Sequence, residues 1–141
     1  MPLLAPMQEI AGRQYLDGGI ADSIPVGQAM QDGLEKQVIV LTQNEGYVKK
    51  PNKLMPLIRL RYRRYPALCN SMQQRHIDYN HRLQAAQQLE RQGKAVIIQP
   101  SQPMVLHRIE KDVDKLQAAY ENGYHDAAAA WERVQKLFEQ E

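Results

Sequence analysis

Gly93-Lys94-Ala95-Val96-Ile97-Ile98 is the segment from which the architecture of this chain is most easily inferred. A glycine that can end a helix precedes a short apolar run, which is typical of a strand buried on both faces of a sheet. The same order occurs upstream, where Gly33 follows a predicted helix over residues 26–32 and precedes the run Val38-Ile39-Val40-Leu41. Helix, glycine and apolar strand, occurring twice, predict an α/β fold with short parallel strands.

A long helix is predicted before the second strand. Asn70 and Ser71 can cap this helix, apolar residues recur along it at helical spacing, and Gly93 ends it. Several helices therefore flank the strands, and we expect the α/β part to extend over about residues 1–100.

The C-terminal segment, about residues 104–141, is predicted to be wholly helical. Two apolar stripes, one before and one after Asn122-Gly123, predict a helical hairpin. Trp131 and Phe138 lie on the second stripe. Aromatic residues at helical spacing are typical of a core, so we expect both to be buried rather than inserted into lipid.

Composition excludes several classes of protein. A single cysteine, Cys69, leaves neither a disulfide scaffold nor a Cys-rich zinc site, and we expect this residue in the core. The sequence contains no targeting segment and no run approaching the roughly 20 apolar residues that span a bilayer. We therefore expect a cytoplasmic protein, with peripheral attachment to a membrane as a further option.

The net charge is only +2, but the cationic residues are unevenly distributed. Residues 46–77 include no acidic residue. The cations of this basic region are Lys49, Lys50, Lys53, Arg59, Arg61, Arg63, Arg64 and Arg75. Such a region permits an anionic partner, for example phospholipid head groups, a membrane surface or nucleic acid, and of these we do not expect nucleic acid. The interpretation that the sequence favours is a solvated face, or arginines paired with carboxylates of an upstream half that we expect to be absent from this chain.

Tyr15-Leu16-Asp17-Gly18-Gly19-Ile20 has the clearest chemical interpretation in the chain. Two adjacent glycines would let the backbone reverse through positive φ and let a ligand or a second catalytic group approach Asp17. The alternative is an ordinary surface turn, because Asp-Gly is common in turns. Asp22, close by, is better explained as a group that caps the following helix.

This turn and its surroundings resemble the C-terminal part of the bacterial patatin-like phospholipases. The likeness begins at Tyr15 and continues through Asp22-Ser23-Ile24-Pro25-Val26, Arg75-His76-Ile77-Asp78-Tyr79-Asn80 and Tyr120-Glu121-Asn122-Gly123-Tyr124, so it covers nearly the whole chain. It implies part of a three-layer patatin-like fold and a lipid or other ester as the substrate. In that family the Asp of the Asp-Gly-Gly or Asp-Gly-Ala turn is the second member of a Ser-Asp dyad, which implies this catalytic role for Asp17 and a turn shaped by Gly18 and Gly19.

The chain departs from the family at the nucleophile. Ser23, Ser71 and Ser101 lack the flanking glycines of a Gly-x-Ser-x-Gly elbow. We therefore expect the chain to be the C-terminal portion of a larger acyl hydrolase, inactive alone, whose serine and oxyanion loop lie upstream. The alternative is a non-enzymatic anion-binding or dimerising module that uses the basic region, with Arg61, Arg63 and Arg64 as candidate anion contacts. An exposed strand edge could also pair with a second copy.

The spacing of residues gives little support to metal binding or to nucleotide binding. His76 and His81 are five residues apart, about 140° around a helix, so they cannot share a metal ion as i and i+4 histidines do. His107 and His125 are explained as residues at helix starts. Neither a Walker-type loop nor a dinucleotide-binding glycine motif is present. The sequence therefore predicts no metal and no cofactor.

Overall fold

The computed structural model describes residues 6–104, 106 and 109–139. Within this part the chain divides into two units. One comprises residues 6–28 and 48–84, and the other comprises residues 29–47 and 85–139. The described elements are mixed α/β, with four α-helices and two small sheets.

The first unit starts with a hairpin that the sequence did not predict. Strands β1 (Gln8–Ile10) and β2 (Arg13–Tyr15) pair antiparallel, with Gln8 opposite Tyr15. Ala11 and Gly12 both have positive φ, 50° and 74°, which is the backbone that a two-residue turn of this kind requires. A 3₁₀ turn at Gly18–Ile20 and helix α1 (Val26–Gln31) follow, and α1 confirms the short helix predicted before Gly33.

Helix α2 (Met55–Arg61) and the first turns of helix α3 (Pro66–Arg91) enclose the core of this unit. The buried side chains are Ile20, Ile58, Tyr62, Cys69 and Met72. Burial of Cys69 confirms its expected place in the core, where its thiol lies 3.5 Å from the carbonyl oxygen of Tyr62.

Helix α3 begins earlier than predicted. It starts at Pro66 rather than at an Asn70-Ser71 cap. Proline suits the first helical position, because its φ is already helical and the N–H that it lacks has no partner there. Asn70 and Ser71 are therefore exposed positions inside the helix. Gly93, with φ of 71°, follows the helix as predicted.

The two predicted strands of the second unit are confirmed, and they are parallel. Strand β3 (Gln37–Val40) pairs with β4 (Ala95–Ile98), with Gln37 opposite Ala95. The prediction that β3 is buried on both faces is wrong, because Val38 and Val40 are 40% and 70% exposed. In the described part of the chain, β3 has only its Gln37 and Ile39 face covered.

The predicted C-terminal hairpin is wrong. One continuous helix, α4 (Val113–Glu139), passes through Asn122-Gly123 without a break. A glycine inside a helix costs only about 1 kcal/mol relative to alanine, which a helix of 27 residues can accommodate. The N-terminal cap is Asp112, whose Oδ1 accepts hydrogen bonds from the N–H groups of Asp114 and Lys115 at 3.1 and 3.3 Å.

The face of α4 that packs on the sheet also differs from the prediction. Ala130, Leu137 and Val134 belong to one apolar cluster with Val96 of β4. Trp131 and Phe138, expected in the core, are 59% and 53% exposed because they lie beside this stripe and not on it. His125 lies inside α4 rather than at a helix start, and His107 falls outside the described residues. No helix in the ranges described above is both long and apolar enough to cross a membrane.

Candidate functional site

The segment 17–20, here called the Asp17 turn, holds the predicted catalytic carboxylate. Asp17 caps the 3₁₀ turn that follows it, and its Oδ1 accepts a hydrogen bond from the N–H of Gly19 at 2.8 Å. The N–H of Ile20 donates to the carbonyl oxygen of Asp17 at 3.1 Å. The side chain of Ile20 is buried in the core, whereas Asp17 is exposed. The turn therefore presents a carboxylate at the surface of the first unit in a defined orientation.

The glycines of this turn act differently from the prediction. Neither Gly18 nor Gly19 has positive φ, so the backbone does not reverse through the left-handed region. Gly19 leaves room for the carboxylate instead: a Cβ atom there would lie 3.2 Å from Oδ1 of Asp17, so this oxygen would have to move by a few tenths of an ångström. A Cβ atom on Gly18 would meet nothing within 4 Å. Of the two glycines, only Gly19 is closely approached by another group, and that group is the carboxylate oxygen of Asp17.

Helix α3 fixes the turn through an arginine. The Nε–H of Arg75 donates to the carbonyl oxygen of Gly19 at 2.9 Å, and the hydroxyl of Ser23 donates to the same oxygen at 2.6 Å. The peptide groups on both sides of Gly19 are thus hydrogen-bonded, one to Asp17 and the other to Arg75 and Ser23. Arg75 is partly buried, which strengthens a charged hydrogen bond relative to an exposed one.

A second arginine of α3 holds the segment after the turn. Asp22 Oδ1 lies 3.1 Å from Nε of Arg82 and accepts a hydrogen bond from the N–H of Ile24 at 3.2 Å. Asp22 therefore caps the turn before α1 rather than the helix itself. Arg75 and Arg82 are seven residues apart, two helical turns, so they lie on the same face of α3.

The arginines predicted as anion contacts lie elsewhere in the first unit. Arg61 ends α2, with its guanidinium 5.3 Å from the ring centre of Tyr62. Arg63 and Arg64 are exposed between α2 and α3. Arg75, in the same basic region, donates a hydrogen bond to the carbonyl oxygen of Gly19. The cations of this region therefore do not all form one exposed surface.

The second unit has a cleft of about 340 Å³ beside the carboxyl end of β4. Three of its charged side chains, Glu90, Asp126 and Arg133, bind the protein itself. Oε1 of Glu90 accepts a hydrogen bond from the N–H of Ile97 at 2.9 Å and pairs with Nη1 of Arg133 at 3.2 Å. Asp126 accepts a hydrogen bond from the N–H of Ser101 at 3.0 Å. These contacts connect α3, β4 and α4, and we assign them a structural role. Across the described ranges, no three histidine, cysteine or carboxylate side chains form a group that could hold a metal ion.

A family model described as a domain of unknown function, DUF6363, matches residues 65–139. The chain belongs to the DUF6363 family. No curated protein and no solved structure matches the chain.

The DUF6363 segment contains α3, β4 and α4, and it starts after the Asp17 turn. It nevertheless supplies Arg75 and Arg82, the two side chains that hold residues 17–24. Sequence reasoning missed both roles, because it placed Arg75 in the basic region and gave no role to Arg82. Their spacing of seven residues places both on one face of the predicted helix, but it does not indicate which part of the chain that face contacts.

Proposed function

We propose that this chain supplies the acidic member of a Ser-Asp dyad in a patatin-like lipid acyl hydrolase, and that Asp17 is this residue. In this proposal the chain is the C-terminal portion of a three-layer patatin-like domain. The observation that carries the proposal is the fixed geometry of the Asp17 turn. An exposed carboxylate is held by the N–H of Gly19, and the next carbonyl group is held by Arg75.

The chemistry assigned to Asp17 is that of a general base. A serine hydroxyl attacks an ester carbonyl efficiently only when a positioned group accepts its proton. Asp17 would accept this proton, and it would later activate the water that hydrolyses the acyl-enzyme. Backbone N–H groups of the serine-bearing segment would stabilise the oxyanion.

Rigid support suits such a base better than a mobile surface turn. Catalytic groups need to be held within about 0.5 Å of their productive position. The hydrogen bonds around Gly19 restrain the Asp17 turn from two sides, and Ile20 anchors it in the core. An ordinary solvated turn has no need of a partly buried arginine from a distant helix.

The test uses the complete protein encoded by the reading frame. Asp17→Asn removes the base but keeps the size of the side chain, so we expect ester hydrolysis to fall by about 10²–10⁴-fold. Labelling of the nucleophilic serine by a fluorophosphonate should weaken in parallel. Asp32→Asn is the matched control, because Asp32 is an exposed aspartate that also precedes a glycine. Hydrolysis by the 141-residue chain alone that survives Asp17→Asn would contradict the proposal.

A further inference from the structure

We propose that helix α2 and the turns beside it form a docking surface for an anionic lipid bilayer. This surface, here called the α2 surface, combines three exposed leucines with six cationic side chains and does not depend on the role of Asp17. The leucines are Leu54, Leu57 and Leu60. The cations are Lys50, Lys53, Arg59, Arg61, Arg63 and Arg64.

Leu57 and Leu60 point away from the core of the first unit, and Leu54, at the N-cap of α2, is 52% exposed. Ile58, on the inner side of α2, is 2% exposed and fixes the rotation of the helix. At 100° per residue, Leu60 lies about 160° from Ile58 around the axis and Leu57 about 100° from it. Leu60 is 70% exposed and Leu57 is 50% exposed. The fold therefore presents an apolar ridge to the surroundings instead of burying it.

The six cations lie in α2 or beside it in the chain. In the portion of the chain with described coordinates, none of the six forms an ion pair with a carboxylate. Arg59 donates to Gln73, and Arg61 lies over the ring of Tyr62, both of which are neutral partners. All six side chains are exposed, as expected for the solvated face that the sequence favours.

Two other cations of the basic region serve the fold and leave the α2 surface distinct. Arg75 binds the carbonyl oxygen of Gly19. Lys49 lies 4.6 Å from the ring centre of Tyr79, and its backbone exchanges two hydrogen bonds with the side chain of Asn80, at 2.9 and 3.1 Å. These bonds fix the loop that leads into α2. The segment that bears the α2 surface is therefore held in place by hydrogen bonds to α3.

A bilayer fits this combination better than nucleic acid does. Nucleic acid binds through cations that neutralise phosphates, and it provides no apolar medium for leucine side chains. At an anionic bilayer the cations lie among the head groups while the leucines enter the acyl boundary, which is the pattern of interfacial helices. The cations and the leucines of the α2 surface then both have a partner in the bilayer.

The experiment measures cosedimentation of the full chain with vesicles. Phosphatidylcholine vesicles containing about one third phosphatidylglycerol should bind the protein, and vesicles of phosphatidylcholine alone should bind it at least about tenfold more weakly. Raising the salt from about 0.05 M to about 0.5 M should release it. Arg63→Gln with Arg64→Gln should weaken binding roughly thirtyfold, at about fivefold per charge.

The leucines are tested separately from the charges. Leu60→Asn should weaken vesicle binding at least about fourfold, because the change removes apolar insertion and leaves every charge in place. Val40→Asn is the matched control, since Val40 is equally exposed, at 70%, and lies outside the α2 surface. Arg91→Gln with Lys94→Gln is the control for the arginine pair. Circular dichroism of each variant verifies that the fold is retained.

Three results would overturn the proposal. The first is binding that is equal for neutral and anionic vesicles, or absent for both. The second is binding to anionic vesicles that Leu60→Asn and the arginine pair leave unchanged. The third is binding to a short DNA duplex that exceeds vesicle binding and depends on the arginines but not on Leu60, which would assign the surface to nucleic acid.

Discussion

Arg75 donates a hydrogen bond of 2.9 Å to the carbonyl oxygen of Gly19, which lies 56 positions earlier in the chain. This contact ties the Asp17 turn to the helix on which the DUF6363 match begins. If Asp17 is the base, as proposed, Arg75 has a positioning role, since its guanidinium contacts the backbone two residues from Asp17.

Arg75→Gln in the complete protein should lower kcat for ester hydrolysis by about 10²-fold, because a displacement of about 1 Å is enough to disturb a catalytic group. KM should change little, because the proposal gives Arg75 a positioning role and not a contact with the substrate. Loss of this charged hydrogen bond should destabilise the fold by only about 1–2 kcal/mol. Steady-state kinetics and urea unfolding measure the two effects. Arg91→Gln, on the same helix, is the control, and an equal loss of kcat in it would remove the role assigned to Arg75.

The two glycines of the Asp17 turn should respond differently to alanine. Gly19→Ala places a Cβ atom 3.2 Å from Oδ1 of Asp17, so the carboxylate has to shift and hydrolysis should fall. Gly18→Ala meets open space and should change the free energy of unfolding by less than about 1 kcal/mol. Activity and chemical unfolding of the two variants, measured side by side, test this difference. Equal loss of activity in both would show that space at Gly19 is not the controlling factor.

The continuity of α4 predicts a gain in stability from Gly123→Ala. An alanine inside an uninterrupted helix is favoured over glycine by about 1 kcal/mol, and a Cβ atom at this position meets nothing within 4 Å. The melting temperature should therefore rise. A turn at Asn122-Gly123 would give the opposite result, because alanine would replace a glycine that the turn requires.

Neighbouring residues near the end of α4 should differ in their contribution to stability. Leu137 is 6% exposed and packs with Val96, so Leu137→Ala should destabilise the protein by about 2–4 kcal/mol. Phe138 is 53% exposed, and Phe138→Ala should cost less than about 1 kcal/mol. Urea unfolding of the two variants provides the comparison. A larger loss for Phe138→Ala would place the packed face of α4 where the sequence predicted it.

Local sequence patterns predicted the parallel strands and the turns that follow the helices. The β-branched runs gave both strands of the parallel pair, and Gly33 and Gly93 marked the turns that follow helices. The break predicted in α4 failed because a single glycine penalty is small beside the stability of a long packed helix. Trp131 and Phe138 were misplaced because a seven-residue repeat identifies a stripe but does not show which stripe meets the sheet.

The candidate site could be predicted only in part. Asp17 and the turn around it follow from adjacent residues, and the structure gives Gly19 a spatial role that the sequence had expressed as positive φ. The contribution of Arg75 could not be inferred, because it depends on a contact between distant parts of the chain. The exposure of the leucines on α2 likewise depends on how tertiary packing rotates a short helix.

The most direct measurement of the central proposal is a crystal structure of the complete, unlabelled protein, with the nucleophilic serine identified separately by fluorophosphonate labelling and mass spectrometry. We predict that a carboxylate oxygen of Asp17 lies about 3 Å from the Oγ atom of that serine, within hydrogen-bond reach of its hydroxyl. A nucleophilic serine separated from Asp17 by more than one water molecule, with its hydroxyl donating a hydrogen bond to another residue, would contradict the assignment of Asp17 as the base.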